Sequence, residues 1–353
     1  MVQIVKAVIM SAVMGAESLR QIDQGLRLGW MGGRVRGKKG CRISDTTLAR
    51  VCGLIPVSAV EKLCDRIHTR IRSKGELGVK LGTRRWKVGV IDGTTLGKHP
   101  SSVVMEVGEV GACLGIKPFF KRGKELPVSL EMMKELAGSR LDLMLGDGLY
   151  ACEKFWQECE DSKMAGIVKT SEETLTIIQD ANGIFDAQQL LEGVEFVEGT
   201  DANRNCSWRV WGANDLVWSE THWRLKVVRV EETFFKGKWT GQTHRFWVLS
   251  QEQTLSAIHL RELAHSRWFI ENEAFKAFNE QVHSKHLYSH NSQTALVISW
   301  LQIIGAMLLA DFHCFLSSLK ESLDWLWDHG SLAMRSLRKC FWSSLNLVKA
   351  DTS

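Results

Sequence analysis

"WKVGVIDGTTL", residues 86–96, marks a change of texture in the chain. Before it, apolar residues recur every three to four positions. Within it, Val88, Val90 and Ile91 form a short β-branched run that ends on Asp92 and Gly93. A run of that length reads as a buried strand, with "GTTLGKH" (93–99) as the loop that follows. The same order returns in "LDLMLGDGLYACEKFWQECEDSKMAGIVKT" (141–170): strand, acid, turn, helix, strand. Between the two, "SSVVMEVGEVGACLGIKPFF" (101–120) reads as further strands with glycine turns, and "ELPVSLEMMKELAG" (125–138) as a short amphipathic helix. Strands alternating with helices in this way predict an α/β core with a parallel component.

Working outward, "SDTTLARVCGLIPVSAVEKLCDRIHTRIRSKGEL" (44–77) opens on Ser44 as an N-cap and breaks at Gly53 and Pro56. It resumes with Val57, Val60, Leu63, Cys64, Ile67 and Ile71 at helical spacing, which gives two helices and a short turn. That form suits a helix-turn-helix, although helix pairs are common in all proteins. "AVIMSAVMGA" (7–16) runs into a helical pattern, so a first helix is preferred to a signal peptide. Residues 171–250 read as strands joined by tight turns and hold six of the fourteen tryptophans. After Leu255 the pattern is helical. "ALVISWLQIIGAMLLA" (295–310) contains Ser299 and Gln302 and falls short of the ~18–20 residues of a membrane span, so it reads as a core helix. The expected division is a basic helical region at 1–80, a first part of the core at 81–170, a β-rich insertion at 171–250 and a helical completion at 251–353.

The nine cysteines show no CxxC pair, which argues for a reducing compartment and against a disulfide framework or zinc ribbon. Net charge is +5, but residues 27–87 hold sixteen Lys/Arg against four acids, an excess of +12. A basic region on a mildly acidic body is the footprint of a polyanion binder, nucleic acid above all. His283, His286 and His290 have a spacing conceivable for zinc, but without a nearby cysteine they read better as solvated or phosphate-facing.

Three acids stand in comparable situations. Asp92 and Asp147 end strands, where α/β sheets expose functional groups, although each precedes a glycine and could be a turn residue. Glu271 lies in "RWFIENEAFK" (267–276), sharing a helical face with Ala264, Arg267, Trp268, Ala274, Phe275 and Phe278. That places two opposite charges, Arg267 and Glu271, on an otherwise apolar stripe.

Together "VIDGTTL", "LGDGLYACEKFW" and "HSRWFIENEAFKAF" resemble the three catalytic blocks of insertion-sequence transposases of the DDE, RNase H-like class, in which a β-rich domain is inserted between the second aspartate and the glutamate. The resemblance spans about residues 44–312 and rests on the order and intervals of the blocks as much as on each motif. It departs at Ala264 and Phe278, where the family has Tyr and Lys; Lys276 stands two residues early.

The resemblance implies an RNase H-like α/β core with an inserted β-rich domain that flanks the cleft without extending the sheet. It implies Asp92, Asp147 and Glu271 as catalytic, metal-binding carboxylates for two Mg²⁺ ions, with Mn²⁺ as a substitute. Hard cations of this kind prefer carboxylate oxygens. The implied partners are transposon-end and target DNA, contacted by Arg267, Lys276 and Lys169 and by the basic residues Arg34, Arg36, Lys38 and Lys39. A homodimer assembled on DNA, a cytoplasmic, nucleoid-associated location and no membrane complete the expectation. Among the insertion's tryptophans, Trp239 is the one nominated to stack a base. A related nuclease, or a relic that only binds DNA, remains the alternative.

Overall fold

The computed structural model describes residues 2–27, 43–96, 98–119, 123–136, 141–187, 192–269, 283, 286 and 288–318, with side chains as far as 312 except that of 269. Helices α1 (Val2–Val13) and α2 (Leu19–Arg27) come first, then the pair α3 (Asp45–Gly53) and α4 (Val57–Ser73). Ser44 caps α3 as its sequence indicates, its hydroxyl accepting from the Thr47 amide at 3.2 Å. A separate hairpin of β1 (Val79–Leu81) and β2 (Arg84–Trp86) leads into the main sheet.

Three strands, β3 (Val88–Leu96), β4 (His99–Glu106) and β5 (Ala112–Pro118), form an antiparallel meander. After α5 (Glu125–Glu135), β6 (Leu143–Gly146) returns parallel to β3. After a 3-10 turn (Gly148–Tyr150) and α6 (Glu153–Asp161), β7 (Ala165–Thr170) lies parallel to β6. Most of the loop expected at 93–99 is instead strand: β3 continues to Leu96 and β4 begins at His99, with Gly93 opposite Ser102 and Leu96 opposite His99. The four ladder positions after Asp92 outweigh the turn preference of a single glycine.

Next come α7 (Thr176–Phe185), β8 (Glu195–Asp201), β9 (Cys206–Trp218), β10 (Trp223–Phe234) and β11 (Thr243–Ser250), followed by α8 (Ala257–Phe269) and a long helix, α9 (Ser292–Ser318). The expectation that the β-rich segment stands beside the sheet is overturned. All four of its strands join the sheet, whose order is β5-β4-β3-β6-β7-β11-β10-β9-β8. The physical reason lies in β7, which would otherwise end the sheet with a row of unpaired amides and carbonyls. Antiparallel β11 covers that edge, with Val248 opposite Lys169 and Leu249 opposite Val168. The chain is thus a mixed α/β protein with one large mixed sheet.

Both faces of the sheet are covered, so strand alternation sorts side chains between two cores. Val88, Val90, Leu143 and Leu145 join one core with residues of α1, α3, α4, α8 and α9. Ile91, Met144 and Val168 join the other with residues of α5, α6 and α7. The N-terminal helices therefore have no core of their own: Val8, Leu48, Cys64 and Ile71 pack in the same cluster as Trp300 and Ile304. A buried ionic cluster also ties α4 to β4, where the Glu106 carboxylate takes His68 Nε2 at 2.6 Å and the Arg72 guanidinium. The Ser292–Phe312 stretch is long and apolar enough to cross a membrane by length and composition, yet most of it is buried within the fold, as in a core helix. Among the insertion's tryptophans Trp211, Trp218 and Trp247 are buried, while Trp239 is exposed.

Helix α1 crosses α9 at Gly305, where an added Cβ would stand 2.6 Å from Ala12 Cβ and 2.8 Å from the Ile9 carbonyl oxygen. Helix propensity alone favours Ala over Gly by about 1 kcal/mol. Packing reverses that preference, because backbone cannot yield as a side-chain tip can. Gly305→Ala is expected to lower stability by about 1–3 kcal/mol in urea unfolding, as overpacking does; a stabilised variant would show that this crossing is loose.

Candidate active site

The parallel register of β3 and β6 places two acids side by side. Val90 pairs with Leu145, so two residues further on Asp92 stands level with Asp147, at an interstrand spacing of ~4.8 Å. Both acids share the side-chain parity of Val90 and Leu145, which face the core that α8 joins. One more strand along, Gly146 pairs with Val168, which brings Lys169 level with Asp147. Asp92, Asp147 and Lys169 thus form a row across β3, β6 and β7, just past the parallel-paired part of β3 and at the carboxyl ends of β6 and β7. This is where open α/β sheets present ligand-binding groups.

Asp92 accepts from the Gly93 amide at 2.8 Å through Oδ1, and its Oδ2 lies 3.4 Å from Arg267 Nη1. Both side chains are largely buried, at 13% and 12% exposure. Arg267 is therefore turned toward the sheet and pairs with Asp92; it is not a solvent-facing charge on a surface helix. Asp147 caps the turn after β6: its Oδ1 accepts from the Leu149 amide at 2.9 Å. The turn-residue reading thus applies to Asp147, and it coexists with the placement beside Asp92. The Lys169 ammonium lies over the rings of Phe246 at 4.2 Å and Trp268 at 5.1 Å, an attraction of cation to aromatic face. It is a half-buried strand residue, flanked by β6 and β11.

The helix that carries Arg267 is fastened from below. Leu260, Leu263 and Ala264 of α8 pack into the core, while Arg261 and His265 both reach the buried Glu232 of β10, Arg261 Nε at 2.8 Å and His265 Nε2 at 2.8 Å. Burial works to raise the Glu232 carboxyl, but hydrogen bonds and charge from His265 and Arg261 outweigh it and hold it below the usual range. Burial depresses His265 in spite of Glu232, so its neutral form is favoured.

Glu125, which the sequence did not single out, also belongs to this end of the sheet. Its carboxylate lies against Gly93, 2.6 Å from where a Cβ would be. Burial first, then the charge of Asp147, raises its carboxyl, and a hydrogen bond with Tyr150 opposes them. As the first residue of a helix it reads in sequence as an ordinary acid favoured by the helix dipole. The remaining site residues, Glu271, Lys276, Arg34, Arg36, Lys38 and Lys39, lie outside the described residues, as do Phe275 and Phe278. Among the described residues no group of three or more His, Cys, Asp or Glu is arranged to hold a metal ion, the histidines near 283–290 included.

No protein-family model matches the chain, and no curated protein matches it. The arrangement itself is a pair of hard oxygen donors on a rigid sheet, with one guanidinium and one ammonium beside them. It can bind a polyanion's phosphate and orient it over the carboxylates.

The Glu232 cluster makes the anchorage of α8 sensitive to acid. Glu232 is depressed in the folded state, so its stabilisation holds above the ordinary ~4.3 and is lost as pH falls through its lower folded value. His265 is also depressed, so below ~6.5 the unfolded chain takes up its proton first and stability again falls. The melting temperature is expected to drop between pH 7 and pH 4, and the part of the drop above pH 5 to shrink in His265→Gln. An identical profile in that variant would remove His265 from the effect.

Proposed function

We propose that the chain is a metal-dependent transposase with an RNase H-like core, which cleaves transposon-end DNA and transfers the cut strand to target DNA. The observation that carries this reading is that Asp92 and Asp147 each follow, by two residues, the paired Val90 and Leu145 of adjoining parallel strands, with Arg267 of α8 against Asp92. The order β5-β4-β3-β6-β7, three antiparallel strands followed by two parallel ones, is the arrangement expected of an RNase H-like core and supports it. So does the position of α8, which follows the β-rich segment and turns Arg267, the first residue of the Arg-Trp-x-Ile-Glu-Asn stretch, toward Asp92.

The donor set suits hard divalent cations: carboxylate oxygens from Asp92 and Asp147, no His or Cys among these donors, and Glu271 as the third carboxylate. When bound, a pair of Mg²⁺ ions supplies Lewis acidity to the attacked phosphate and to the attacking and leaving oxygens. The chain's own residues hold and orient. Asp92 and Asp147 present their carboxylates from a rigid sheet, which fixes the reacting geometry in advance. Arg267 and Lys169 neutralise the phosphate that enters beside them. DNA is also gripped through Arg50, Lys62, Arg66 and Arg70, exposed on α3 and α4, and through the exposed Lys80 and Lys87 near the β1–β2 hairpin. These residues belong to the part of the basic 27–87 region that the fold presents on its surface. The protein acts in the cytoplasm on the nucleoid, as a homodimer on DNA.

Purified protein incubated with its element's end DNA and Mg²⁺ is expected to yield nicked and joined products. Asp92→Ala, Asp147→Ala and Glu271→Ala should each abolish cleavage while DNA affinity stays within roughly tenfold, because phosphate contacts dominate binding. Hydrolysis without joining would identify a nuclease instead, and a variant that cuts at the normal rate removes that residue from the site. Replacing Arg50, Lys62, Arg66 and Arg70 by Gln should flatten the salt dependence of binding, by up to about 0.9 in log–log slope for each phosphate that the variant no longer neutralises.

A further inference from the structure

On the sheet face opposite α8, directly behind Asp92 and Asp147, runs a continuous chain of buried hydrogen bonds. Ser102 of β4 stands opposite Gly93 in the ladder, and its hydroxyl lies 2.6 Å from that of Ser129 on α5. Ser129 Oγ lies 2.9 Å from the Tyr150 hydroxyl, and the Glu125 carboxylate stands beside Tyr150, near enough to act on it through its charge. Glu125 and Ser129 are one helical turn apart, so both face the sheet. Two glycines make the room: Glu125 fills the space where a Gly93 side chain would be, and the Tyr150 ring lies 2.7 Å from where a Cβ on Gly146 would be.

Both contacts of Ser129 join hydroxyl to hydroxyl, and each hydroxyl can donate to one neighbour while accepting from another. Buried hydroxyls paired in this way rigidify their surroundings. The end this chain fixes is the turn that Asp147 caps. The Tyr150 amide donates to the Asp147 carbonyl at 3.0 Å, and the Leu149 amide occupies Asp147 Oδ1. With Tyr150 wholly buried and tied at its hydroxyl, the Asp147 carboxylate has its rotation set, and Oδ2 takes no hydrogen bond among the described residues.

We infer that Ser102, Ser129 and Tyr150 are positioning residues that aim Asp147 Oδ2 at a divalent cation; this rests on the phosphoryl-transfer reading above. The network touches neither the cation nor DNA, and acts only through the direction of that one carboxylate. Partners that orient a metal-ligating group typically contribute 10–100-fold to metal affinity or activity.

Two measurements on the full-length protein test it: Mn²⁺ binding followed by electron paramagnetic resonance without DNA, and the Mg²⁺ concentration giving half-maximal cleavage. Tyr150→Phe keeps the ring and removes the bond, and Ser129→Ala breaks the chain one link earlier should Tyr150→Phe fold poorly. Both are expected to weaken Mn²⁺ binding and raise the Mg²⁺ midpoint about 10–100-fold, with DNA affinity unchanged. A purely structural role would instead lower the melting temperature and scale the rate down at every Mg²⁺ concentration, leaving both midpoints where they were; that result overturns the inference. Wild-type protein that binds no Mn²⁺ also overturns it. If the wild type binds Mn²⁺ in a Tyr150-dependent way but cuts no DNA, the transposase reading fails and the positioning network stands.

Discussion

Parallel pairing of β3 with β6 is the constraint from which the site descends. Side chains alternate with a period of two, so a slip of one residue would exchange the contents of both faces. Here such a slip is costly, because Val88 and Val90 belong to one core and Ile91 to the other, while Leu143 and Leu145 are separated from Met144 in the same way. The apolar residues fix the register, and the acids that follow them, Asp92 and Asp147, are carried to their places by it. A parallel pair also needs a crossover of a dozen or more residues. In this chain that crossover contains α5, which brings Glu125 and Ser129 behind the sheet. The helix needed to turn the chain round is thus the helix that supplies the support.

Polar groups buried in this fold join elements that apolar packing alone would leave free to slide. Glu232 fastens α8 to β10, and Glu106 fastens α4 to β4. Removing one partner of such a cluster leaves a charge stranded, which is why these bonds are hard to remove singly. The β-rich segment gains a definite role from this. It is the platform on which the helix bearing Arg267 rests, and it meets the parallel strands through β11 and β7.

Local signals were legible in the sequence and long-range ones were not. Ser44 as a cap, the break at Gly53 and Pro56, the helix at 125–135 and the strand that gives way to a turn at Asp147 all depend on a few neighbouring residues. Strand order does not: nothing between 171 and 250 states that β11 will lie against β7, since that pairing is decided by which edge is left uncovered. Gly93 was misleading for a related reason. It looks like a turn former, yet it stands in a strand, paired with Ser102, and its missing side chain leaves room for the Glu125 carboxylate. Lys169 reads as an exposed strand end, but its place in a row with Asp92 and Asp147 emerges only once three strands are aligned.

The nine-strand order also constrains how the chain can assemble. From β8 to β11 each strand pairs with its neighbour in sequence, so that half of the sheet is a meander of short-range pairings. Joining it to the rest requires β11, at residues 243–250, to find β7, at residues 165–170, a distant meeting that local turns do nothing to promote. Loop-closure entropy makes such encounters slow relative to hairpin formation. The seam between β7 and β11 is therefore the strand pairing of longest range in the sheet, and the one with the largest loop to close. The row of acids and the helix that carries Arg267 lie on opposite sides of that seam in chain order, so their union depends on it.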